Sequence, residues 1–163
     1  MDKQPKRILA VASGGGHWVQ LLRLRPAFEG HRVTYVTVRG SYRADVGDAR
    51  LHVVKDATRW DKVGLVKMAM QLAWILIRVR PHVIISTGAA PGYFAIRFGR
   101  LLGAKTIWID SIANVEEISM TGRIVARFTD MWLTQWQHLE DSCGVVRRGS
   151  TNQSGPRYEG AVL

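Results

Sequence analysis

Short apolar runs alternate with amphipathic stretches along this chain. Ile8-Leu9-Ala10-Val11-Ala12 contains no polar residue, and Arg32 to Val38 is a mostly apolar, β-branched run. Continuous runs of this kind suit strands buried on both faces of a parallel sheet; a half-solvated strand would alternate. The pattern predicts strands over Arg7–Ala12, Arg32–Val38, Leu51–Val54, His82–Ser86, Lys105–Ile109 and Met131–Thr134. Helices are predicted over His17–Phe28, Lys62–Arg80, Gly92–Leu102 and Thr121–Phe128. Pro26 disturbs the last turn of the first, Pro81 stops the second and Gly103 ends the third. Arg39 to Asp48 reads as a polar loop, Gly144 to Arg157 as a polar, glycine-rich tail, and Tyr158–Leu163 as a last edge strand. Strands and helices alternate, so the expected class is α/β: a Rossmann-like, mainly parallel sheet flanked by helices, with right-handed crossovers. The 163 residues fit one domain, 1–163, without internal repeats.

Two glycine-rich turns follow predicted strands. The first is Ser13-Gly14-Gly15-Gly16, leading into His17; the second is Thr87-Gly88-Ala89-Ala90-Pro91-Gly92. Glycine lets backbone approach a ligand closely, and helix starts offer unpaired N–H groups to an anion. In open parallel sheets ligands bind beyond the carboxyl ends of the strands, so both turns and Asp110-Ser111 should converge on one cleft. His17 is either a helix-start residue packing on the turn or a general-base imidazole for a hydroxyl nucleophile. Asp110 either orients a ligand hydroxyl or caps the loop after it. Glu116 and Glu117 read as a solvated loop face.

A dinucleotide fingerprint is incomplete. It begins Gly14-x-Gly16, but Val19 holds the third glycine position and Val38-Arg39 stand where an acid is expected. An arginine suits a 2′-phosphate, so an NADP-binding regulatory or redox protein is the alternative reading. The Walker pattern is absent. Cys143, His138 and His52 lack metal-ligand spacing, and Ser13 and Ser111 lack a nucleophile-elbow context, so neither metal nor cofactor is expected.

Charge changes the picture of the partners. Lys and Arg number 23 against 13 Asp and Glu, a net charge of +10, which implies an anionic partner. No RNP, KH or zinc-finger pattern appears, so specific nucleic-acid binding is not expected. The basic residues Arg23, Arg25, Arg78, Arg80, Arg97 and Arg100 are interleaved with Trp18, Trp74, Tyr93 and Phe94. These are either solvated helix faces over a core or an interfacial patch on an anionic leaflet. On the second reading Trp18, Arg23, Trp74, Arg97 and Arg100 face the membrane. The apolar stretch between Lys67 and Arg78 is too short to span a bilayer core of about 30 Å. The N-terminal residues show no signal peptide, and the single cysteine, Cys143, reads as a low-reactivity thiol in a reducing compartment.

Several short marks together resemble a known family. They are Ser13-Gly14-Gly15-Gly16-His17; Ser86-Thr87-Gly88 with Pro91-Gly92; Asp110-Ser111-Ile112-Ala113; Ser119-Met120-Thr121-Gly122-Arg123; Asp130; Gln135-Trp136; and Tyr158-Glu159-Gly160. Their order and spacing resemble the bacterial PssD-type proteins and their eukaryotic relative, subunit fourteen of the asparagine-linked glycosylation pathway. More distantly the chain is similar to the N-terminal half of MurG. The resemblance implies the N-terminal lobe of a GT-B glycosyltransferase, inactive alone. It would bind a polyprenyl-pyrophosphate-linked sugar acceptor at the cytoplasmic face of the membrane as a peripheral subunit. A separate PssE-type subunit would bind the UDP-sugar donor, for exopolysaccharide or lipid-linked oligosaccharide synthesis. The implied base is His17, and the implied acceptor cradle is Ser13, Gly14, Gly15, Gly16, Thr87, Gly88, Asp110 and Ser111. Asp110 stands where relatives usually carry Glu, and Asn114 where many carry Arg. The eukaryotic relatives carry an N-terminal membrane helix; here attachment would fall to the basic and aromatic surface.

Overall fold

A computed structural model describes residues 4–140, 142, 145–146 and 153–161. Cys143, half of the glycine-rich tail (residues 144 and 147–152) and residues 162–163 of the expected last strand lie outside them. Six strands follow the predicted order: β1 (Arg7–Val11), β2 (Arg32–Thr37), β3 (Arg50–Val53), β4 (Val83–Ser86), β5 (Lys105–Ile109) and β6 (Met131–Thr134). Two-residue strands β7 (Val145–Val146) and β8 (Gln153–Ser154) form an antiparallel pair that the sequence pattern did not announce. The last strand, β9 (Arg157–Tyr158), pairs with β6. The main sheet has seven strands in the order β3-β2-β1-β4-β5-β6-β9, parallel throughout.

The helices are α1 (Gly16–Arg23), α2 (Lys62–Val79), α3 (Ala89–Leu101) and α4 (Met120–Val125). The first predicted helix breaks at Leu24, and Arg25–Phe28 continues as a 3-10 turn with Pro26 near its start. α3 begins three residues earlier than predicted. Pro91 lies within its first turn, where its missing N–H would have no intrahelical partner anyway. The segment read as a polar loop contains a 3-10 turn, Gly40–Val46.

Successive residues of β1 serve opposite faces of the sheet. Leu9 and Val11 join one cluster with Met68, Leu72 and Leu76 of α2 and Ile96 of α3. Ile8, Ala10 and Ala12 join the other, with Trp18 and Leu21 of α1 and Phe28. Two covered faces explain why β1 carries no polar position after Arg7. At the amino end of the sheet, Asp130 accepts hydrogen bonds from the Thr106 N–H (2.8 Å) and hydroxyl (3.1 Å) and pairs with Arg100. Partial burial pushes the Asp130 carboxyl upward, but the Thr106 and Arg100 donors outweigh it and hold the group below the usual carboxylate range.

Candidate functional site

β1 and β4 are neighbours, but the chain leaves β1 toward β2 and leaves β4 toward β5. Their carboxyl ends therefore form the topological switch point, and each leads into one of the glycine turns. In the first turn Gly15 adopts φ 58° and ψ −132°, which a side chain would strain. The Ser13 carbonyl is anchored to β2, accepting from the Thr37 hydroxyl (2.5 Å) and the Val38 N–H (3.3 Å). The first helical bond of α1 runs from the Val19 N–H to the Gly15 carbonyl, and no side chain caps the helix. The N–H groups of Gly16, His17 and Trp18 thus have no intrahelical acceptor.

The second turn carries more strain. Gly88 has φ 145°, and Ala89, opening α3, has φ 65°, in the left-handed region that costs a non-glycine residue about 1–2 kcal/mol. No side chain caps α3 either. By contrast the Asp61 carboxylate caps α2 through the Gly64 N–H (2.8 Å), and the Ser119 hydroxyl caps α4 through the Gly122 N–H (2.9 Å).

His17 joins the two turns. Its Nδ1 lies 2.8 Å from the Thr87 carbonyl oxygen, and the Thr87 hydroxyl donates to the His17 carbonyl at 2.7 Å. A carbonyl can only accept, so Nδ1 carries a proton. In the neutral ring the lone pair then sits on Nε2, which receives no hydrogen bond from the described residues. A Cβ on Gly88 would run into the His17 ring, so Gly88 is needed for this packing as well as for its φ.

The third expected part of the cradle behaves differently. Asp110 is buried, and Oδ1 accepts from the Ser111 N–H (3.0 Å) and the Asn114 amide (2.9 Å). Oδ2 accepts from the Ser119 N–H at 2.8 Å. Of the two roles open to Asp110, the structure displays the loop-capping one. The Ser111 hydroxyl likewise accepts from the buried Gln20 amide (3.2 Å) and the Ala113 N–H (3.3 Å). Gln135 completes this network, donating to Gln20 Oε1 (3.0 Å) and to the Asp110 carbonyl (2.9 Å). Sequence reasoning missed Gln20, which reads as an ordinary helix residue, and gave Gln135 no role.

The expected membrane face needs one correction. Trp18 is only 1% exposed. Its ring faces the sheet beneath the Gly40–Val46 turn, stacks on Tyr42 at 4.9 Å, and donates from Nε1 to Asp45 at 2.9 Å. Trp18 is therefore a core residue. Arg100 is engaged by Asp130, and Arg97 lies 4.5 Å over the Phe128 ring. Arg23 and Trp74 are exposed. Trp74 stands on an outer stripe of α2 with exposed Val63, Val66, Met70 and Ile77, and Arg78 lies 5.0 Å over its ring. A cleft of about 480 Å³ separates this stripe from β3, lined by His52, Val53, Met70, Gln71, Trp74 and Ile75. Burial, then the Arg50 charge, lowers the His52 pKa. Among the described residues no helix is long and apolar enough to cross a membrane, and no acidic, histidine or cysteine cluster could hold a metal.

The Rossmann-like parallel sheet with glycine turns at its switch point is a fold shared with solved glycosyltransferases. The chain matches the crystal structure of Acinetobacter baumannii MurG with a TM-score of 0.68 at 12% identity, covering 94% of this chain and 47% of that one. A glycosyltransferase from Rickettsia africae matches with a TM-score of 0.58 at 13% identity, over 85% of this chain and 38% of that one. The chain thus spans less than half the length of these structural relatives. Residues 49–149 match the family described as "Oligosaccharide biosynthesis protein Alg14 like", and the chain belongs to that family. Its relatives include the UDP-N-acetylglucosamine transferase subunit ALG14 of Yarrowia lipolytica, 26% identical over 84% of this chain and 76% of that one. The human subunit of the same name is 27% identical over 86% of this chain and 82% of its own length.

Proposed function

We propose that this chain is the acceptor-binding subunit of a two-component inverting glycosyltransferase. It would act with a PssE-type subunit that holds a UDP-sugar, transferring the sugar to a polyprenyl-pyrophosphate-linked acceptor in exopolysaccharide or lipid-linked oligosaccharide synthesis. The observation that carries this is the pair of uncapped glycine turns with an imidazole between them, its tautomer set by the Thr87 carbonyl. Backbone N–H groups at both turns receive the acceptor phosphates. The acceptor hydroxyl attacks the anomeric carbon as the bond to the UDP oxygen breaks, and His17 Nε2 takes the hydroxyl proton. UDP leaves on the partner's side. Thr87 holds the imidazole, while Asp110 and Ser111 stiffen the adjoining loop.

The proposal also seats the protein peripherally on the cytoplasmic leaflet through the outer stripe of α2. Tryptophan beside arginine suits the headgroup boundary, and the apolar positions suit the acyl edge.

Co-expression with a PssE-type partner tests the assignment. The complex should transfer sugar from UDP-N-acetylglucosamine, the donor named for the relatives, to a polyprenyl-pyrophosphate-linked acceptor, and neither chain should do so alone. His17→Ala should lower transfer by about 100-fold, within the usual range for a general base, while the partner still co-purifies. Full activity of the isolated chain would overturn the divided enzyme, and an unchanged rate in the variant would remove His17 from the chemistry. Replacing Met70 and Trp74 by Ser should reduce pelleting with phosphatidylglycerol vesicles; undiminished pelleting would place the membrane face elsewhere.

A further inference from the structure

The proposed chemistry leaves Arg39 and Tyr42 without a task, although both lie against the first glycine turn. Arg39 follows β2 and precedes the Gly40–Val46 turn, which carries Tyr42. The place that a Gly14 Cβ would occupy is 3.3 Å from Arg39 Nε and 3.4 Å from Tyr42 Oη. Tyr42 is fixed by its stack on Trp18 and by the Gly15 N–H, which donates to Oη at 2.9 Å. Its own hydroxyl proton remains to be given, and the described residues supply no acceptor for it. Arg39 is exposed and makes no ion pair or hydrogen bond among the described residues. The acidic residue of its turn, Asp45, is occupied by the Trp18 indole instead.

A cation resting on a glycine turn with no carboxylate beside it is available to an external anion. We propose that Arg39 and Tyr42 are a positioning pair that grips one phosphate of the acceptor at the first turn. The guanidinium takes two phosphate oxygens in its planar fork, and the Tyr42 hydroxyl donates to a third. The Gly15 N–H behind Oη polarises the phenol and strengthens its donation. This inference rests on the proposed acceptor role. It also gives Arg39 a use that requires no dinucleotide: the arginine reads the charge of the diphosphate and leaves the sugar to other parts of the complex.

Calorimetric titration of the full-length chain with inorganic pyrophosphate at low salt tests it. Arg39→Gln should weaken binding by about tenfold or more, as expected for hydrogen bonds to a charged group. Arg39→Lys should recover part of the loss, because it keeps the charge and loses the fork. Tyr42→Phe keeps the ring on Trp18 and should cost roughly threefold to tenfold, the value of one donor. Arg32→Gln removes the same charge at the other end of β2 and should change affinity less than about twofold, because a distant exposed charge is largely screened. If wild type binds and Arg39→Gln binds equally well, or if Arg32→Gln weakens binding as much, the positioning pair is wrong and the acceptor role stands. If wild type does not bind pyrophosphate, the phosphate cradle itself fails and the pair falls with it.

Discussion

The carboxyl edge of the sheet holds two kinds of loop. After β1 and β4 the turns are built from glycine, their helices start without a side-chain cap, and Ala89 sits in a strained conformation. After β5 the loop closes on itself: Asp110 binds two of its N–H groups, and Ser119 caps the helix that follows. All three segments lie at the carboxyl ends of neighbouring parallel strands. The difference is where the backbone donors go. In the glycine turns the Gly15 N–H donates to Tyr42 and the Gly88 N–H to Ser86 (3.2 Å), but the first N–H groups of the helices that follow are left without a side-chain cap, so those donors are free for a ligand.

The widest separation between the two kinds should come from Asp110→Ala. It orphans the Ser111 and Ser119 N–H groups and the Asn114 amide together, in a loop backed by the buried Gln20–Gln135 pair. Unsatisfied buried donors cost about 1–3 kcal/mol each, so a loss of about 3–4 kcal/mol is expected, or a melting point lower by about 10 °C. Thermal unfolding of the purified chain measures it. A change under about 1 kcal/mol would mean that this loop is as open as the other two, and that Asp110 is free to serve a ligand.

The sequence carried the sheet because its evidence is local and repeated. Unbroken runs such as Ile8–Ala12 fit only strands covered on both sides, and the glycine turns announced themselves by composition. The division between open and closed loops was not legible in the same way. Asp110 before a loop is equally compatible with a ligand contact and a cap, and only the positions of Asn114 and Ser119 decide between them. Trp18 was misplaced for a related reason. One turn of helix next to arginines reads as an interface, and nothing local reveals that Tyr42 and Asp45, more than twenty residues on, fold back over the ring. Of the outer stripe of α2 only Trp74 was legible, because that helix is apolar on both its buried and its exposed sides, so the pattern shows hydrophobicity without saying which face is covered.

Within the open class the two turns differ in a further respect, and alanine at one glycine of each resolves it. Gly88→Ala drives a methyl group into the His17 ring and holds an L-residue at φ 145°. It should cost about 2–3 kcal/mol of stability and break the Nδ1–Thr87 contact, lowering transfer nearly as far as loss of the imidazole does. Gly15→Ala meets nothing within 4 Å, so its cost is backbone strain alone, about 1–2 kcal/mol, with the imidazole left in place. Nuclear magnetic resonance of the His17 ring separates the two directly: its signals should move in Gly88→Ala and stay in Gly15→Ala. If both variants leave them in place, His17 is held by something other than the second turn. If both move them, the turns are mechanically one unit, and the imidazole registers strain at either.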